Sequence, residues 1–90
     1  MLLNNIPHLD LHGLDRVSAN ILVNDFINDN LLMKNEYVVI IHGIGSGVLK
    51  KSVHELLKHN RYVLEYKIDP FNIGQTIVKL RSEDNVYRRI

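Results

Sequence analysis

The chain has no cysteine among its 90 residues. A disulfide framework, a thiolate metal site and a cysteine nucleophile are therefore excluded. It also lacks a long apolar run. Uninterrupted apolar stretches such as residues 38–41, Val-Val-Ile-Ile, are far too short to cross a bilayer. Met1-Leu2-Leu3 is followed by Asn4-Asn5, not by a cationic start and an apolar core, so no signal peptide is evident. These absences point to a soluble, cytoplasmic protein with no membrane partner. Nor is there an excess of charge of either sign, since the formal net charge is +1. What remains suits one small globular domain: 46% of residues are apolar and 23% charged, with enough chain for a single core.

The charge is unevenly placed. Residues 1–49 hold Arg16 and Lys34 against Asp10, Asp15, Asp25, Asp29 and Glu36, whereas residues 50–90 hold nine Lys or Arg against five acidic residues. The basic half begins just after Gly43-Ile44-Gly45-Ser46-Gly47, at Lys50 and Lys51. Val38, Val39, Ile40 and Ile41 before the glycines read as a strand buried on both faces, and an amphipathic helix follows them. A strand, a glycine turn and a helix N-terminus together let backbone N–H groups point at an anion. Lys50 and Lys51 in the first helical turn oppose the helix dipole at about 0.3–1 kcal/mol each. A bound phosphate would offset that cost, and plain solvation of both lysines is the alternative.

Residues 1–7 read as a lead-in, with Pro7 biasing Ile6 to extended geometry. Residues 8–12 alternate strictly, placing Leu9 and Leu11 on one side of a strand and His8, Asp10 and His12 on the other. Asp15 suits the N-cap of a long helix in which Ala19, Leu22, Val23, Phe26, Ile27 and Leu31 form the buried stripe. That helix should end near Met33, with Asn35 as a left-handed cap. A central strand is expected over residues 37–41, and a second helix over residues 48–59 that buries Leu49, Val53, Leu56 and Leu57. That assignment exposes Lys50, Lys51, His54, Glu55 and Lys58, with Asn60 ending the helix. Residues 62–68 alternate, with Leu64, Tyr66 and Ile68 facing one way and Val63, Glu65 and Lys67 the other. Residues 69–74 read as a connection, residues 76–80 as a last strand, and residues 82–90 as a charged tail whose Val86, Tyr87 and Ile90 can dock.

The order is βαβαββ. Strand, helix and strand within some thirty residues imply a right-handed parallel crossover. Three of the four strands have one apolar and one polar side, so both helices should cover one face. The expectation is a two-layer α/β domain, of the α+β kind, with a four-stranded mixed sheet. Ligands of such sheets gather beyond the carboxyl ends of parallel strands. If the first two strands are parallel neighbours, Asp10 and His12 lie close to the glycine turn.

The glycine stretch matches neither common nucleotide loop. Val48 stands where the dinucleotide fingerprint has its third glycine, and the Gly-Lys-Ser/Thr ending of a Walker loop is absent. Bound ATP or NAD is not expected, and a turn serving only helix packing remains an alternative. Asp10 and His12 can share a proton task in phosphodiester chemistry. With His8 they form His-x-Asp-x-His, which has ligand types for a divalent metal, although a solvated polar face explains the same pattern. His42 can donate to a phosphate or cap a strand end. His54 and His59 read as plain surface residues. Lys79 and Arg81 either extend a basic track or act as edge-strand charges that discourage pairing.

Leu9-Asp10-Leu11-His12-Gly13, then Ile40-Ile41-His42-Gly43-Ile44-Gly45-Ser46-Gly47-Val48-Leu49-Lys50, then Gln75-Thr76-Ile77-Val78-Lys79-Leu80 closely resemble the Smr (small MutS-related) domain. The resemblance covers residues 8–81. It implies a fold like the C-terminal domain of translation initiation factor three. It also implies nucleic-acid binding and, in many members, endonuclease activity, either nicking DNA or cutting RNA, including messages on stalled ribosomes. Cleavage maps onto Asp10 and His12. Nucleic-acid contact maps onto His42, Gly43, Gly45, Gly47 and Lys50, to which the reading of the residues adds Lys51. Some members carry arginine at the position of His12, and the histidine here favours the active type. The family's glycine-rich loop before the last strand is reduced here to Phe71-Asn72-Ile73-Gly74-Gln75, which bears on the choice of substrate. The expectation is an endonuclease acting on RNA or DNA, in repair or recombination or on ribosome-bound messages. No cofactor is firmly implied, although a divalent metal fits the chemistry. A non-catalytic nucleic-acid or ribosome-binding module is the second reading, and a binder of small anions the third.

Overall fold

The structure is a computed structural model that describes residues 5–81. The elements run β1 (His8–Asp10), α1 (Arg16–Leu32), β2 (Tyr37–Ile41), α2 (Val48–His59), β3 (Val63–Asp69) and β4 (Asn72–Leu80). They form one four-stranded mixed sheet in the order β1-β2-β4-β3. β1 and β2 are parallel, and the other two pairings are antiparallel. The expected architecture is therefore observed. The expected docking of Val86, Tyr87 and Ile90, and the charged tail itself, lie outside the described residues.

One apolar cluster joins the two layers. Leu11, Val38, Ile40, Val78 and Leu80 from the sheet side meet Ala19, Val23 and Ile27 of α1 and Val53 and Leu57 of α2. All ten are at most 1% exposed. Alternation along β2 turns Val38 and Ile40 to the helices and Tyr37, Val39 and Ile41 to the other face. Both helices thus cover one face, and no helix among the described residues is long and apolar enough to cross a membrane.

α1 begins as its sequence dictates. The Asp15 carboxylate accepts the Ser18 N–H at 2.7 Å, satisfying one of the first-turn donors. That bond holds the Asp15 carboxyl below its ordinary value. Two details of this helix differ from expectation. Leu22 is 40% exposed, and the polar Asn30 takes a place in the buried stripe at 1% exposure. Asn30 is tolerated because it is satisfied, its Nδ2 donating to the Phe26 carbonyl and its Oδ1 accepting from Asn35 Nδ2. The helix closes at Met33, so the left-handed residue directly after the cap is Lys34, at φ 60°, and not Asn35.

The β3–β4 segment departs furthest from its periodicity. The pairing shifts by one residue between Val63 and Glu65, a bulge at Leu64. Val63 and Tyr66 therefore both pack on the core, while Leu64 is 45% exposed. Residues 69–74 are not a free connection. Asp69 pairs with Asn72 across a tight turn, and Ile73, Gly74 and Gln75 bulge from β4 before Thr76 pairs with Ile68. β4 lies inside the sheet, so Lys79 is not an edge-strand charge. Its Nζ lies 3.9 Å from Glu36 and 5.8 Å from the Tyr37 ring centroid. Arg81 donates to the Arg61 carbonyl at 2.7 Å.

Leu11 is fully buried at the mouth of the crossover. Leu11→Ala should cost about 2–5 kcal/mol in urea unfolding, whereas Leu22→Ala should cost well under half of that.

Candidate functional site

The parallel register places Asp10 opposite Ile41, one residue before His42. Leu11 N–H extends the pairing by donating to the Ile41 carbonyl at 2.9 Å. The chain then turns through Leu11-His12-Gly13-Leu14, closed by Leu14 N–H to the Leu11 carbonyl at 3.1 Å. Gly13 at φ 77° supplies the left-handed third position that a type II turn demands. The Asp10 carboxylate accepts the backbone N–H of His12 at 2.9 Å. It thereby fixes the main chain of the residue beside it. Asp10 and His12 are both exposed. His8, on the same side of β1, turns its Nδ1 to the Ile6 carbonyl. Among the described residues, no three His, Asp or Glu side chains draw together as a ligand set.

The glycine turn is built differently from a simple packing turn. Gly43 and Gly47 both lie at φ 83°, a conformation that disfavours a side chain. Gly45 lies outside that region, and nothing stands within 4 Å of where its Cβ would be. The fold does not require a glycine at position 45. Gly47 is also the N-cap of α2 and offers no side-chain hydrogen bond, and no acidic residue lies in the first turn. The Val48 N–H donates to Ser46 Oγ at a long 3.4 Å, and no carboxylate in the first turn faces the positive end of the dipole.

A cleft of about 340 Å³ opens there, lined by Asp15 and Arg16 from the start of α1 and by His42, Gly45, Ser46, Gly47 and Val48. Two helix N-termini thus converge on one hollow. Lys50 and Lys51 part company around it. Lys50 lies on the side of His54, close enough for its charge to bear on that ring. Lys51 instead lines a larger groove of about 920 Å³ between α1 and α2, with Arg16, Asn20, Asn24, Ser52 and Glu55 among its neighbours. Arg16 lines both hollows, and sequence reasoning passed over it. Its sign was the available signal, because a cation in the first turn of α1 is as misplaced against a dipole as Lys50 and Lys51 are.

Behind the turn lies a buried polar bridge. His42 is 6% exposed, and Thr76 is fully buried. His42 Nδ1 lies 3.0 Å from the Gly43 carbonyl, and Nε2 lies 2.8 Å from Thr76 Oγ1. His54 Nε2 approaches the same hydroxyl at 2.7 Å. A carbonyl only accepts, so Nδ1 carries the proton of a neutral His42 and Nε2 accepts from the Thr76 hydroxyl. The hydroxyl oxygen then accepts from His54 Nε2–H. Both ring nitrogens of His42 are therefore engaged inside the protein, tying the turn to β4. His54 is not the plain surface residue expected; it packs edge-on to His42 at 5.8 Å and against Tyr66 at 5.1 Å. His59 does lie outside, beside Glu55 at 3.1 Å. A second tie comes from β4, whose Gly74 carbonyl accepts both the His42 and the Gly43 N–H at 2.9 Å.

The family model for the Smr domain matches residues 9–81. The chain is 43% identical over 72 residues to the protein named endonuclease MutS2 of Helicobacter pylori, covering 80% of this chain and 9% of that protein. Against the endonuclease MutS2 of Symbiobacterium thermophilum it is 40% identical over 79 residues, 84% of this chain and 10% of that one. The chain thus spans about a tenth of the length of these curated relatives. The crystal structure of the Smr domain of Thermus thermophilus MutS2 superposes with a TM-score of 0.82 at 25% identity, covering 84% of this chain and 99% of that one. YdaL, a stand-alone small MutS-related protein from Escherichia coli, superposes at 0.78, also at 25% identity, with 83% and 64% covered.

Burial, the His42 ring and the Lys50 charge, in that order, hold the His54 pKa below its ordinary value. The unfolded chain therefore takes up that proton more readily. Stability from this group is complete above about pH 6.5 and is lost as pH falls below that through the lowered folded value. Melting temperature followed across that range should drop on the acid side. His54→Gln should flatten part of the slope.

Proposed function

Because the chain belongs to the Smr domain family, we propose that it binds nucleic acid at the glycine turn and cleaves a phosphodiester bond of RNA or DNA beside it. The observation that carries this reading is the parallel register that sets Asp10 against Ile41, on the strand whose end leads through the glycine turn to α2, a helix with a glycine N-cap and no acid in its first turn. The amides of the turn, with Lys50 on one side and Arg16 on the other, hold the phosphate. Lys51 guides the strand as it leaves along the α1–α2 groove. His12 acts on the reacting oxygens, since an imidazole can give or take a proton near neutral pH. The attacking oxygen is that of a water or of a ribose 2′-hydroxyl. It loses its proton to the base as it bonds to phosphorus, and the departing oxygen gains one as its bond to phosphorus breaks. Asp10 orients His12 through the backbone bond or serves as the base itself. A divalent metal beside Asp10 is the other route for activating the attacking oxygen, and loss of cleavage with chelator would select it. DNA repair or recombination, and the cutting of messages on stalled ribosomes in the cytoplasm, are the settings this chemistry serves.

Matched DNA, RNA and 2′-deoxy-substituted RNA test the reading. His12→Ala should lower cleavage by about 10²–10⁴-fold while leaving binding and melting temperature unchanged. Asp10→Asn keeps an oxygen to accept the His12 N–H but removes the charge, so it separates the two roles. Full activity in Asp10→Asn assigns an orienting role, and loss equal to that of His12→Ala assigns the base. Binding that loosens steeply with salt, with no cleavage by the wild type, would replace this reading with that of a non-catalytic module.

Gly45→Ala isolates the phosphate site. It should melt like the wild type, because its Cβ enters open space. It should nevertheless bind an oligonucleotide more weakly in a fluorescence titration, because that space is where the phosphate sits.

A further inference from the structure

Beside the glycine turn stands an apolar tip that neither the phosphate site nor the Asp10–His12 edge uses. Phe71 is 96% exposed, Ile44 71% and Ile73 63%. Ile44 of the glycine turn reaches the hairpin: its Cγ2 lies 3.3 Å from where a Cβ on Gly74 would be. The Gly74 carbonyl binds the His42 and Gly43 amides. Phe71 is three residues from Gly74, at most about 10 Å of extended chain. The tip and the glycine turn therefore form one continuous rim.

The tip is held in place. The Asp69 carboxylate, 3% exposed, accepts the Phe71 N–H through Oδ1 and the Gln75 side-chain N–H through Oδ2, each at 2.8 Å. Asn72 Oδ1 accepts the Gly74 N–H at 3.1 Å. Phe71 N–H and Gln75, in that order, keep the Asp69 carboxyl below its ordinary value. An aromatic side chain standing free on a backbone fixed at both ends loses little freedom when it docks. Lys67, on the strand entering the turn, lies close enough to Asp69 for its charge to bear on that carboxyl. The fitting partner presents a flat apolar face to the ring, with its phosphate on the adjoining glycine turn.

We propose that Phe71, backed by Ile73 and Ile44, stacks on an unpaired nucleobase of the strand whose phosphate lies on the glycine turn. This rests on the nucleic-acid reading above and sharpens it, because a base inside a duplex has both faces covered and only an unpaired one can accept the ring. The protein then selects single-stranded or locally opened nucleic acid over duplex. The preference is tolerant of sequence, since every base has a π-face.

The chain contains no tryptophan, so Phe71→Trp is a fluorescent reporter confined to the tip. The probes are single-stranded oligothymidylate and oligouridylate, the same strands with abasic positions, and blunt DNA and RNA duplexes. Phe71→Trp should bind the intact strand as the wild type does, with its emission quenched. Phe71→Ala should melt normally and bind that strand roughly 5- to 150-fold more weakly. The abasic strand should bind the wild type as weakly as the intact strand binds Phe71→Ala, and Phe71→Ala should not distinguish the two. Unchanged affinity in Phe71→Ala, the result expected if the tip docks a protein, overturns this proposal and leaves the nucleic-acid reading standing. Failure of the wild type to bind any of the probes overturns both.

Discussion

One hydroxyl proton stands between two imidazoles, and that count orders the whole sheet end. Thr76 has a single proton to give and oxygen lone pairs to receive with. With His42 committed to the Gly43 carbonyl through Nδ1, the proton must go to His42 Nε2, and the oxygen must take the proton of His54. β4, the end of β2 and the side of α2 are thereby fixed by one side chain. Two ring nitrogens left without that hydroxyl would cost about 1–3 kcal/mol for each group stranded. The Gly74 carbonyl repeats the device on the backbone, holding the His42 and Gly43 amides with one acceptor. The glycine turn therefore combines conformational freedom at its φ-positive glycines with rigid support from behind. A phosphate site of the kind proposed, which must bind without reorganising, needs that combination.

The larger part of the fold was legible because its elements obey single periods. β2 is an uninterrupted apolar strand and proves central; α2 has a clear apolar stripe; Asp15 caps the helix its sequence announces. What was not legible depends on partners remote in sequence. Asn30 looks like another poor helix former until Asn35 is seen satisfying it. His54 looks like a surface residue until Thr76, far along the chain, is brought to it. The alternation of β3 fails at Leu64 because a bulge there spends one residue outside the ladder. The hairpin looks like a loop in the sequence because Asp-Pro and Gly are turn signals that also sit inside bulged pairings. For the candidate site, the glycine turn and the Asp10–His12 strand were legible from residue types and spacing. The hollows that Arg16 lines and the separation of Lys50 from Lys51 were not, because facing directions near helix starts depend on how the helices cross.

Those cations share one anomaly. Arg16 opens α1, and Lys50 and Lys51 lie in the first turn of α2, each at a helix end where the dipole prefers an anion. Folding alone gains nothing from this arrangement. In the proposed reading, an anion in the cleft gains from the dipole of α2 and from the cations, whereas α1 already carries the Asp15 carboxylate at its start. The lysines that oppose the α2 dipole in the free protein would then act with it.

The same electrostatics bears on Asp10. A carboxylate beside a phosphate site repels it, by about 0.5 kcal/mol at 8 Å in water and more as solvent is excluded. The structure answers with position and occupation. Asp10 lies at the sheet edge, outside the residues that line the cleft, and its Oδ1 is already receiving the N–H of His12. That bond draws some of the negative charge toward the backbone and commits the carboxylate to the next residue along. What it secures is the orientation of the turn that carries His12. On the function proposed above, a phosphate in one half and a proton-transfer group in the other must lie close without their charges cancelling. The parallel pair β1–β2 does this by ending both strands at the same edge.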